Sequence, residues 1–112
     1  MSIANNVAMT QLSESIREKI RTLLKERPQR DPYKRFTILA YQLADVGKCL
    51  RYMEIYPDER RAQAAYFKTA MADLLMQVVI LAELYKLDLQ EITELGADRL
   101  EEFRKRGKYT EV

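Results

Sequence analysis

Histidine is absent from this 112-residue chain. That excludes imidazole zinc sites, Ser-His-Asp triads and Cys-His pairs. The single cysteine, Cys49, excludes an internal disulfide and any multi-cysteine metal site, and suits a reducing, cytoplasmic setting. With no histidine and no second thiol to activate it, Cys49 reads as a small apolar side chain. Only three Gly and three Pro occur, and no Pro follows Pro57. Small sheets need many turns, and turns need such residues, so the scarcity points to a few long helices. An excess of one charge is also missing: 19 basic residues stand against 17 acidic ones. Nucleic acid is therefore an unexpected partner. No continuous apolar run reaches the length of a membrane span, because Leu74 to Ala82 already contains Gln77; the chain is expected to be soluble, with no membrane partner. Met1 to Met9 lacks the charged start and apolar core of a signal peptide.

What is present is apolar periodicity. Residues 1–9 carry none and read as an arm, residues 10–106 as one all-α domain, and residues 107–112 as a tail. Thr10 is the expected N-cap of a first helix, with Leu12, Ile16, Ile20, Leu23 and Leu24 on one stripe and Pro28 beyond its end. Asp31 followed by Pro32 reads as the cap and first position of a second helix running to about Ile55. Its expected packing stripe is Phe36, Leu39, Leu43, Val46, Leu50 and Met53. Gly47 breaks the run of helix formers, which reads as close approach of a neighbouring helix.

Tyr56-Pro57-Asp58 marks the next break. The third helix, from about Asp58 to Tyr85 or Lys86, is apolar nearly all round. A short chain has few helices to cover it, so a homodimer or tetramer through the second and third helices is expected. Asp88, with Glu91 three residues on, opens a fourth helix, and Gly107 stops it.

Polar residues inside these helices are the candidate site: Gln42, Asp45 and Lys48 on the second, Asp73 and Gln77 on the third. Spacings of three and four put each set on one face. Two helices joined by a tight turn pack antiparallel. Counting from the turn leaves Asp45 and Asp73 within roughly 6 Å of the same height. Partly buried carboxylates facing one another need a positive partner: Lys48, a shared proton or a metal ion. Ion pairing with Lys48, Arg51 or Lys68 is the simpler reading. Oxygen-only ligands would select Mg²⁺ or Mn²⁺.

The segments YQLADVGKCLRY (Tyr41 to Tyr52) and MADLLMQVVILAELYKLDLQEI (Met71 to Ile92) resemble the two motif helices of the MazG-like group of all-α nucleoside triphosphate pyrophosphohydrolases. That group carries a Glu-x-x-Glu pair on one helix and a Glu-x-x-Asp pair on the next. The resemblance spans roughly residues 33–106 and implies an antiparallel, four-helix-bundle-like, oligomeric fold. It implies Mg²⁺-dependent cleavage of a nucleoside triphosphate to monophosphate and pyrophosphate. Carried over, the first pair falls on Gln42 and Asp45 and the second on Ala70 and Asp73, so two carboxylates of four remain. Asp45 and Asp73 are the implied metal ligands, and they share the catalytic role with Gln42. Lys48 beside them is the candidate substrate contact. A non-catalytic regulatory or assembly module of the same fold is the alternative that the missing carboxylates leave open.

Overall fold

The computed structural model describes residues 12–107, which form four α-helices joined by turns, with no strand among them. Helix α1 spans Glu14–Leu24. It starts after Ser13, whose Oγ accepts from the Ile16 amide at 3.3 Å. The expected start at Thr10 is thereby corrected, and Thr10 itself lies outside the described residues. Arg21 bridges Glu14 and Glu18 on the outer face. The last carbonyls of α1, on Leu24 and Lys25, accept from Arg30 Nη1 at 2.9 and 3.3 Å. A 3₁₀ turn over Arg27–Arg30 holds Pro28.

Helix α2 spans Pro32–Ile55 and opens as the Asp31-Pro32 signal requires, with Asp31 accepting from the Tyr33 amide at 3.0 Å. A single 3₁₀ turn, Pro57–Glu59, reverses the chain into α3, Arg60–Leu84. By length and hydropathy, the segment Pro57–Leu84 is also long and apolar enough to cross a membrane. Helix α3 ends in a Schellman turn: Lys86 N donates to Glu83 O at 3.1 Å and Leu87 N to Ala82 O at 2.8 Å. The left-handed position of that turn, usually Gly, is taken by Lys86 at φ 57°. Helix α4, Leu89–Lys105, is capped by Asp88, which accepts from the Gln90 and Glu91 amides. Gly107, at φ 75°, lies just beyond its end.

Most of the tertiary packing joins α2 to α3 as an antiparallel hairpin. On α2 the covered positions include Arg35, Leu39, Gln42, Val46, Cys49 and Met53; on α3 they include Phe67, Ala70, Leu74, Gln77 and Leu81. Both sets alternate steps of three and four, the pattern of two helices meeting along one seam. The tight turn sets them level, Val46 with Ala70 and Cys49 with Phe67. This seam differs from the expected stripe. Leu39, Val46 and Met53 belong to both, but Phe36, Leu43 and Leu50 lie one residue round the helix and are exposed. Gly47 has no neighbour within 4 Å of where its Cβ would stand, among the described residues.

Helix α1 packs on the C-terminal half of α3. Ile20, Val79 and Ile80 form its core, with Ile16, Leu23 and Met76 against them. Helix α4 contributes no buried residue.

Candidate functional site

The seam fixes where the polar residues fall. Asp45 directly precedes Val46, and Asp73 directly precedes Leu74. In antiparallel helices, residues preceding matching seam positions flank the seam on the same side. Three such cross-helix rungs follow one another along the hairpin: Tyr52 with Tyr66, Asp45 with Asp73, and Ile38 with Ile80. Seven residues separate each rung from the next, about 10 Å along the axis. Helix α1 covers the isoleucine end through Ile20 and leaves the other two rungs open. The tyrosine end is closed toward the turn by Tyr56, whose ring lies 4.8 Å from that of Tyr52. Lys48 and Tyr41 stand further out on the same side of α2, both exposed.

Two expectations are corrected here. Asp45 and Asp73 are exposed rather than partly buried, because Val46 and Ala70 fill the seam and the short Asp side chains stay on its rim. Their expected ion pairs also do not form. Arg51 pairs with Glu54 instead, and neither Asp has a hydrogen-bond or ion-pair partner among the described residues.

Gln42 stands in the seam itself, one turn from Asp45. Its Oε1 and that of Gln77 are buried with no hydrogen-bond partner among the described residues. Buried amide oxygens normally find a donor; these two lie enclosed in the seam without one. Ala70 is 6% exposed, held in the seam where the resembled motif has a carboxylate. No group of three or more metal-ligating side chains comes together among the described residues. The oxygens exposed on this flank are the two carboxylates. A small hard cation that keeps waters and substrate phosphates in its shell is held by no more than that.

Sequence reasoning passed over Tyr66, although its signal was present: it lies seven residues before Asp73, as Tyr52 lies seven after Asp45. Arg35 stands in the sequence close to four other basic residues, Lys25, Arg27, Arg30 and Lys34. Arg35 is 3% exposed. It closes the open end of the seam, and its Nη2 donates to Gln29 Oε1 at 3.0 Å.

No protein-family model, curated protein or solved structure matches the chain.

Proposed function

We propose that the chain is a Mg²⁺-dependent nucleoside triphosphate pyrophosphohydrolase with a pared-down MazG-like site. The observation that supports this most is the rung of Asp45 and Asp73: two exposed carboxylates without partners among the described residues, on one open flank of the α2–α3 hairpin. Asp45 and Asp73 would hold the ion, and bound Mg²⁺ would polarise the phosphoryl oxygens. One of the two carboxylates accepts a proton from the water that attacks the α-phosphorus. The bond from that phosphorus to the bridging oxygen breaks, and pyrophosphate leaves. The Gln42 amide orients water or ligand from the seam, and the Lys48 ammonium meets the negative charge on the phosphates. The exposed rings of Tyr52 and Tyr66, about 10 Å along the hairpin, offer flat faces to a base at the far end of the same molecule.

Pyrophosphate release from a panel of ribo- and deoxyribonucleoside triphosphates with Mg²⁺ tests the proposal. Release that Asp73→Ala and Asp45→Ala abolish is the expected result. No release above those variants refutes it. The second reading, a non-catalytic assembly module, is favoured by the buried Ala70, which leaves the second carboxylate pair incomplete. It predicts that Mg²⁺ leaves the melting temperature unchanged as well.

A further inference from the structure

The C-terminal end of α3 carries a second concavity. A cleft of ≈ 150 Å³ lies where α1, the last turns of α3 and the start of α4 meet, with Arg17, Ile20, Val79, Ala82, Glu83 and Asp88 among its walls. From Asp73 to Ala82 is about 13 Å along the helix axis, so the cleft stands apart from the aspartate rung. Its floor is aliphatic and closed: Ile20 is 5% exposed, Val79 6% and Ala82 3%. Its mouth is charged. Arg17 stands exposed on α1. The glutamates nearest to it on that helix, Glu14 and Glu18, are both taken by Arg21, and the Arg17 guanidinium has no hydrogen-bond or ion-pair partner among the described residues. Across the mouth, Glu83 is half-buried and only loosely met by Lys86, whose Nζ lies 3.7 Å away. Asp88 caps α4 through Oδ1 alone, and its other oxygen has no partner among the described residues.

We propose that this cleft binds a free α-amino acid with a branched aliphatic side chain. The proposal does not rest on the pyrophosphohydrolase reading. Size sets the first limit. An apolar cavity of about 150 Å³ holds a molecule the size of benzene, and the side chain of valine or leucine is within that. A long acyl chain or a nucleotide exceeds it. The floor sets the second limit. Ile20, Val79 and Ala82 offer no hydrogen bond from their side chains, so the part of the ligand that reaches them must be hydrocarbon. Charge sets the third. A simple anion drawn to Arg17 meets the like charge of Glu83 and Asp88, and a simple cation drawn to those carboxylates meets Arg17. A zwitterion satisfies both signs. Its carboxylate accepts from the planar fork of the Arg17 guanidinium. Its ammonium donates to Glu83 and to the second oxygen of Asp88. Both charged ends stay at the mouth, in contact with water, so neither is stripped of its hydration while the aliphatic side chain is buried. The bound molecule touches α1, α3 and the cap of α4 at once.

The test is a titration of the full chain, with its Ile, Val and Leu methyl groups labelled for NMR. L-Leucine is added to about 20 mM, well past the millimolar Kd of a weak small-molecule site. Saturable shifts of the Ile20 and Val79 methyl signals are expected, with those of Leu43 and Leu50 unmoved. Isocaproate lacks the ammonium and isoamylamine lacks the carboxylate. Each should bind roughly 10-fold more weakly or worse, the worth of one hydrogen bond to a charged group. Arg17→Gln changes an exposed side chain, so it should keep the circular dichroism of the wild type. It should weaken leucine by roughly 10-fold or more and leave isoamylamine unchanged, which a loss of folding would not do. Glu83→Gln should weaken leucine and leave isocaproate no weaker. The absence of a saturable shift with leucine overturns the proposal. Isocaproate or isoamylamine binding as tightly as leucine also overturns it, as does an Arg17→Gln chain that binds leucine like the wild type.

Discussion

Replacing Ala70 with glutamate restores, at one position, the carboxylate that the MazG-like motif would have there, and the structure sets what that should cost. Ala70 is 6% exposed in the seam against Val46. A glutamate there adds two methylenes and a charged group to a closed helix–helix contact. An uncompensated buried charge costs about 3–5 kcal/mol. For a chain this size that lowers the melting temperature by roughly 15–20 °C. If Asp45 and Asp73 form an ion site, the introduced carboxylate reaches its edge, and Mg²⁺ should recover much of the loss. Mg²⁺ at about 100 times its Kd would return about 2.7 kcal/mol, or roughly 10–15 °C. The assay is thermal unfolding of Ala70→Glu in MgCl₂ and in NaCl of equal ionic strength. Equal melting temperatures in the two salts would refute an ion site on this flank. A variant as stable as wild type without Mg²⁺ would refute the seam position of Ala70.

The other expectations concern α1. Ile80, 4% exposed at the α1–α3 contact, borders an apolar groove of ≈ 340 Å³ shared with Ile16, Ile20, Leu23 and Met76. Ile80→Ala should cost about 3 kcal/mol in urea unfolding, mostly from lost transfer energy because the groove admits water; a loss under about 1 kcal/mol would mean α1 is not docked. Glu18 has its carboxyl held below the ordinary range by the hydrogen bond from Arg21, then by that residue's charge. A lowered carboxylate pKa favours the folded state above the unfolded pKa, and the benefit disappears as pH falls through the folded value. The protection of α1 amides, taken as exchange relative to the free chain at the same pH, should therefore fall on acidification below about pH 4, and Glu18→Gln should remove that component.

The local signals in the sequence carried the element boundaries. Asp31-Pro32, Asp88 and Gly107 act through backbone groups two or three residues away, so no tertiary knowledge is needed to read them. The start of α1 was missed because Thr10 and Ser13 are equally good caps by type, and only one can serve. The hairpin was legible from its turn, but its seam was not. Phe36, Leu43 and Leu50 are more apolar than Arg35, Gln42 and Cys49, which the structure turns inward. A periodic stripe shows that something packs on it, not whether the partner is its own hairpin. The shared side of Asp45 and Asp73 followed from counting. Their exposure did not, since it depends on where α1 stops, and that is set by the distant contact of Ile20 with Val79 and Ile80.

The Schellman turn after α3 makes α4 a lever. With no buried residue of its own and Leu89, its first residue, packed against the α1–α3 core, α4 takes its direction from its N-terminal end, where the joint is built of the last carbonyls of α3, those of Ala82 and Glu83. A side chain with a Cβ, Lys86, occupies the left-handed position and narrows the angles the joint can adopt. The arm beyond it has 17 residues, about 25 Å of helix. A ten-degree change in the last turn of α3 would therefore carry the far end of α4, with Phe103 and its flanking arginines, through about 4 Å. By the same geometry, a small adjustment in the last turns of α3, near Ile80, would be magnified at the far end of α4.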